Sequence, residues 1–144
     1  MATINPYLTF TDKCEEAFNF YKSVFGGEFL QISKFKDIPT APGVEKLPAS
    51  AGELIMHVAL PISKETILMG SDANPMMGKV TIGDHLSLSV GTDSKEEATK
   101  IFNGLASGGN ITMPIADTFW GAYFGMLVDK FGITWMVNYD YPKK

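Results

Sequence analysis

Four side chains carry the types that acid–base, nucleophilic or metal chemistry would draw on first: His57, His85, Asp72 and the sole cysteine, Cys14. His57, in IMHVALP, sits among apolar residues with no carboxylate beside it. Such an imidazole either has its tautomer fixed by a hydrogen bond within a sheet or makes a polar contact at a cavity. Asp72, after ILMGS, either holds the backbone N–H groups of a turn or accepts a bond from a ligand. Cys14 falls in the first turn of an expected helix, where the macrodipole lowers a thiol pKa. It lacks a histidine neighbour in sequence, and the packed, inert state usual for free cysteine is the preferred reading. General acid–base work needs such groups to converge on a pocket. His57, His85 and Asp72 are available for it, and sequence spacing alone does not decide whether a reaction is catalysed.

The elements that must position these groups are written twice. TDKCEEA from Thr11 and TDSKEEA from Thr92 share five of seven residues, and each continues as a helix-length stretch ending at a glycine pair, Gly26–Gly27 and Gly108–Gly109. Two copies are too few for a solenoid, so two fused half-domains are expected. Ile4 to Phe10 reads as a strand that Pro6 confines to an edge or to a position where its N–H is not needed. Thr11 or Asp12 is placed to cap the following helix, whose Ala17, Phe20, Tyr21 and Val24 should face a sheet. Glu15 and Glu16, echoed by Glu96 and Glu97, stand at helix starts as capping and dipole-complementing charges. EFLQISKFKD, LIMHVALPI and TILMGSD complete unit one, about residues 3–72, with Ser63, Lys64 and Glu65 as a hairpin turn. Ile38 to Gly52 lacks both periodicities and reads as a loop able to serve as a lid, and residues 73–83 as the linker. Unit two, about 84–141, repeats the order with HLSLSV, a helix from Lys95 to Ser107, NITMPIADTF, AYFGMLVD and ITWMVNYD. The expected fold class is α+β, two tandem βαβββ units within one domain.

At 144 residues, such a domain buries roughly 70% of its unfolded surface and folds without metal or disulfide staples. A single cysteine excludes an intrachain disulfide. The net charge of −4 without a basic cluster argues against nucleic acid and anionic membranes as partners. No apolar run is long enough to cross a bilayer, and MATINPYLTF lacks the basic start of a secretion signal, so the expected location is cytoplasmic. Arginine is absent, which removes the guanidinium usual in bidentate phosphate or carboxylate recognition.

NPYLTF, EEAFNFYKSVFGG, ILMGSD, MPIADTFWGAYFG and VDKFGITWMVNYD together resemble the PhnB-like branch of the vicinal oxygen chelate superfamily, which includes glyoxalase I, extradiol dioxygenases and bleomycin-resistance proteins. The similarity runs nearly end to end. It implies two cupped sheets around a cavity with helices outside, frequent homodimers, and, in catalytic members, a divalent metal held by His, Gln or Glu from the first and last strands of each unit. The branch has also carried a demethylubiquinone methyltransferase-like label, yet this chain has no glycine-rich strand-to-helix turn followed by an acidic residue.

Carried onto this sequence, the resemblance puts Pro6, Met69, His85 and Met136 at the four ligand positions. Only His85 suits a hard divalent ion, because proline has no donor there and thioethers are poor ligands for such ions. The expected cofactor set is therefore empty, a divalent metal being the alternative. The same alignment assigns Pro6, Leu8, Met69, Ser71, His85, Ser87, Met136 and Asn138 to the cavity wall, with Tyr7 on the other face. His57, Asp72 and Trp120 join as ligand-binding candidates; Phe119, Trp120, Tyr123 and Phe124 are split between core, dimer interface and wall. Trp135 is expected to be structural, on the helix side. The functional expectation is a metal-free protein binding a small organic molecule in a Met-rich and aromatic cavity, as a homodimer. The alternatives are a metal-dependent lyase, isomerase or dioxygenase, and an assembly domain without a ligand.

Overall fold

In the computed structural model, residues 2–37, 49–73 and 80–143 are described. The chain divides into two units, Met1–Thr81 and Ile82–Lys144. Unit 1 runs β1 (Tyr7–Phe10), α1 (Cys14–Phe25), β2 (Gln31–Lys34), two short 3-10 turns (Phe35–Asp37 and Ala49–Glu53), β3 (Ile55–Pro61) and β4 (Ile67–Asp72). Unit 2 repeats the order with β5 (Leu88–Gly91), α2 (Lys95–Ala106), β6 (Asn110–Asp117), β7 (Ala122–Val128) and β8 (Thr134–Asp140). Each unit is one mixed four-stranded sheet, β1-β4-β3-β2 and β5-β8-β7-β6, with a parallel first pair and antiparallel pairs beyond it. The α+β class and the tandem βαβββ order are as the sequence predicts.

Local sequence explains most boundaries. Pro6 precedes β1 at a sheet edge, where its missing N–H costs nothing, and its carbonyl accepts from Met69 N at 3.1 Å. Pro114 is likewise confined to an edge strand, β6. Ser63 Oγ accepts from Glu65 N and Thr66 N, closing the β3–β4 hairpin as expected.

Each helix covers one face of its own sheet. On α1 the buried residues are Cys14, Ala17, Phe18 and Tyr21, so the packed stripe is rotated from the expected one: Phe18 goes inside and Phe20 is only half-buried. Phe18 sits against Gly70, where an added Cβ would lie 2.7 Å from its ring and from Leu8 O. In unit 2, Gly125 admits Phe102 of α2 in the same manner, with a Cβ there 2.7 Å from that ring. The cores are Phe10, Val58, Leu60 and Leu68 beneath α1, and Leu127, Trp135 and Val137 beneath α2.

The two helices start differently. Ser94 caps α2, its Oγ accepting from Glu97 N at 3.0 Å, while the Glu97 carboxylate reaches back past the cap to accept from Asp93 N at 2.9 Å, a capping box displaced by one residue. In unit 1 the corresponding residue is Lys13, which makes no side-chain cap, and neither Thr11 nor Asp12 takes that role; Asp12 instead adopts a left-handed φ of 56°. The acceptor comes from β4, because Asp72 Oδ1 accepts from Cys14 N at 3.0 Å.

Of the expected loop from Ile38 to Gly52, residues 38–48 lie outside the described residues, and Ala49–Glu53 forms a 3-10 turn. Residues 74–79 of the expected linker also lie outside them.

Candidate functional site

With a helix over one face of each sheet, attention falls on the opposite faces. In unit 1 the register pairs Tyr7 with Met69 and Thr9 with Ser71, Ala59 with Met69, and Ser33 with His57. Because side chains alternate along a strand and paired residues share a face, these residues lie together on the helix-free side. The Tyr7 and His57 rings stack across β4, with centroids 5.8 Å apart and 27° between planes. Ser33 Oγ is buried without a hydrogen-bond partner, a state found at no other side chain among the described residues.

In unit 2 the register pairs Ser89 with Met136 and Gly91 with Asn138 on one side, then Met136 with Met126 and Asn138 with Phe124 on the other. Met113 and Ala116 extend this face onto β6. Met126, Phe124, Met136 and Asn138 are half-buried, and Asn138 Nδ2 donates to Asp140 Oδ1 at 3.0 Å. Trp120 leans edge-on against Phe124 at 5.8 Å and Phe119 against Trp120 at 5.0 Å, with Phe119 97% exposed.

Several assignments made from sequence are corrected here. Leu8 pairs with Gly70, the glycine under Phe18, and so belongs to the helix side; Tyr7, assigned to the far face, takes the position beside Met69. Asp72 also faces the helix side, 3% exposed, with Oδ2 accepting from Ile55 N at 2.9 Å in addition to the Cys14 bond. Burial pushes its carboxyl above the usual range, with the charge of Asp12 adding to the effect and the backbone bonds opposing it. Its role here is to join α1, β3 and β4. Burial likewise drives the Cys14 thiol far above its ordinary pKa, helped by the charges of Asp72 and Glu15, so it does not behave as the lowered helix-terminus thiol. The strand expected from His85 begins at Leu88, which leaves His85 exposed and Ser87 half-buried ahead of β5. No strand alternation therefore fixes the direction of either side chain.

Met69, Ser71, Met136, Asn138 and His57 do fall on helix-free faces, His57 beside Tyr7 rather than enclosed in the sheet. The aromatic run divides: Tyr123 turns to the helix side, its hydroxyl 2.9 Å from Thr99 Oγ1, while Phe124 faces the other way. Trp135 is buried on the helix side and donates its indole N–H to Asp129 Oδ2 at 2.8 Å. Asp129, which sequence reading passed over, also accepts from Phe131 N and Ile133 N, fixing the β7–β8 turn. Ser33 and Met126 are also absent from the sequence-based candidates. Their signal lay in strand alternation read outward from the two glycines that admit helix rings.

The donor set does not fit a hard divalent ion. Pro6 offers no side-chain donor, Met69 and Met136 offer thioethers, and His85 is exposed on the segment ahead of β5. Among the described residues no group of three or more His, Cys, Asp or Glu is placed to hold one.

Comparison with known proteins gives consistent kinship. The family model described as 3-demethylubiquinone-9 3-methyltransferase matches residues 2–138. YjdN of Escherichia coli K12 is 33% identical over 143 residues, covering 94% of this chain and 93% of that protein. The crystal structure of PA1353 from Pseudomonas aeruginosa superposes with a TM-score of 0.84 at 39% identity, covering 97% of this chain and 98% of the other. A Bacillus cereus structure described as a putative 3-demethylubiquinone-9 3-methyltransferase, PhnB protein, gives a TM-score of 0.75 at 29% identity, covering 96% and 99%. Solved glyoxalase/bleomycin resistance proteins at 15% identity, with TM-scores of 0.60 and 0.65, share the fold alone. No helix among the described residues is long and apolar enough to cross a membrane. With its tandem βαβββ units on the fold of the glyoxalase/bleomycin resistance proteins and a family match running from residue 2 to residue 138, this chain belongs to the family whose model bears the 3-demethylubiquinone-9 3-methyltransferase description, and it is similar throughout to a PhnB protein.

Proposed function

We propose that this protein binds a small organic molecule against the helix-free sheet faces and does so without a resident metal. The supporting observation is the makeup of those faces: stacked Tyr7 and His57 with Met69 and Ser71 in one unit, and Phe124, Met126, Met136 and Asn138 in the other. Mostly apolar surface with a few polar groups is how small-molecule sites gain affinity and orientation together. Thioethers and aromatic rings adapt to planar or irregular apolar shapes, and thioethers are poor ligands for hard cations. The methyltransferase description of the family is not adopted, since the sequence lacks the glycine-rich turn that would cradle a nucleotide-like cofactor.

Self-association belongs to the same proposal. Phe119 and Trp120, 97% and 54% exposed, form an apolar projection between β6 and β7 that a second copy of the chain would cover. The experiment for the function has two arms. Elemental analysis of protein purified without chelator is expected to find no stoichiometric zinc, nickel, iron or manganese, and one equivalent per chain overturns the metal-free reading. A small-molecule panel at fixed protein concentration is expected to contain compounds that raise the melting temperature; a flat response across chemically diverse apolar compounds removes the binding reading.

A further inference from the structure

We infer that the helix-free face of unit 1 takes an uncharged, planar organic molecule whose own hydroxyl or carbonyl pairs with the Ser33 hydroxyl. This deepens the small-molecule reading above and rests on it. The first support is Ser33 itself. A buried hydroxyl without a partner forfeits its bonds to water and gains nothing in return, which native structures rarely tolerate unless a missing group completes the bond.

The register then says what stands near that hydroxyl. Ser33 is opposite His57 on β3, and the His57 ring stacks on Tyr7 of β1, across a strand that presents Met69 and Ser71. Two near-parallel rings and a thioether make a flat, polarizable wall suited to a planar partner. Ser33 and Ser71 supply hydroxyl groups on the same face, and a hydroxyl can donate or accept.

Charge narrows the ligand further. Tyr7, Ser33, His57, Ala59, Met69 and Ser71 include no carboxylate and no ammonium, and the chain contains no arginine. An anion or cation brought onto this face would lose hydration without meeting a fixed opposite charge, a cost that an uncharged molecule avoids. The face therefore selects for neutrality as well as planarity.

Three probes of one shape test this on the full chain by calorimetric or competition binding at neutral pH: 2-naphthol, naphthalene and 2-naphthoate. We expect 2-naphthol to bind wild-type protein roughly tenfold or more tightly than either of the others, the factor one well-placed hydrogen bond provides. Ser33→Ala should weaken 2-naphthol by about tenfold and leave naphthalene unchanged, with Ser33→Thr, which keeps the hydroxyl, restoring the preference. Equal affinity for 2-naphthol and naphthalene, tighter binding of 2-naphthoate, or an alanine variant with unaltered discrimination overturns the inference; the last outcome assigns the Ser33 bond to an ordered water. Binding of none of the three also overturns it. The wild-type comparison needs no variant and holds whether or not Ser33→Ala folds. Because the metal analysis and broad panel are separate, this inference can fail while the binding reading stands.

Discussion

At the scale of single residues, two buried side chains that suggested chemistry in the sequence are engaged in holding the fold. Asp72 satisfies the N–H groups of Cys14 and Ile55, so Asp72→Ala leaves both without a partner and should cost about 2–4 kcal/mol in urea unfolding. Asp72 also gives the stability a specific pH dependence. Its carboxyl is raised in the folded chain, so the folded state keeps that proton to a higher pH than the unfolded state does. Its contribution is fully present below the unfolded pKa and is lost as pH rises through the raised folded value. Glu53, held down to about 2 by Lys36 and Lys34, acts in the opposite sense, losing its contribution as pH falls. Both wild type and Asp72→Asn contain Glu53, so the difference between their stability–pH curves isolates Asp72. Wild type should gain stability relative to Asp72→Asn as pH falls toward the unfolded carboxyl range and lose it as pH rises through the raised folded pKa; parallel curves contradict the assignment. Cys14, fully buried and with its thiol pushed up, should resist a thiol reagent at pH 8 until urea unfolds the chain. Labelling of the native protein at the rate of a free thiol would refute its burial.

At the scale of elements, the helix starts and close contacts set expectations of their own. Ser94→Ala removes the α2 cap and should lower stability by about 1 kcal/mol, whereas Lys13→Ala, at the matching position in unit 1, should be near neutral because Asp72 already serves α1. Gly70→Ala forces a methyl toward Leu8 O and the Phe18 ring, and should cost about 1–3 kcal/mol as an overpacked contact. Strand and helix order was legible in the sequence because the repeat, the glycine pairs and the edge signal of Pro6 are local. Register was not. The parallel pairing of β1 with β4 joins segments about sixty residues apart, and nothing near Leu8 says that it will meet Gly70 rather than Met69. One residue of slip reverses a strand's faces, which is how Leu8 and Tyr7 came to exchange places. His85 was misplaced for a related reason: HLSLSV alternates well enough for a strand, but pairing with β8 begins only at Leu88.

For the whole molecule, kinship and fold agree, while the metal positions that the resemblance implies fall at Pro6, Met69 and Met136, which bring no side-chain donor for a hard ion. That expectation comes from residue types alone, since proline and thioether side chains carry no donor for a hard ion. The hydroxyl of Ser33 was not readable, because its isolation appears only once β2 is laid against β3. Replacing Trp120 and Phe119 together by serine should shift a homodimer toward monomer in sedimentation velocity, with the helical circular-dichroism signal retained. Under the proposed function, the helix-free faces take an organic molecule and no protein-bound divalent ion. Native mass spectrometry of protein purified without chelator, sprayed with and without 2-naphthol, reads both halves at once. The expected spectra show the apo mass without metal and an added adduct of the organic probe; a stoichiometric zinc, nickel, iron or manganese mass on each chain, with no organic adduct, overturns the proposed function.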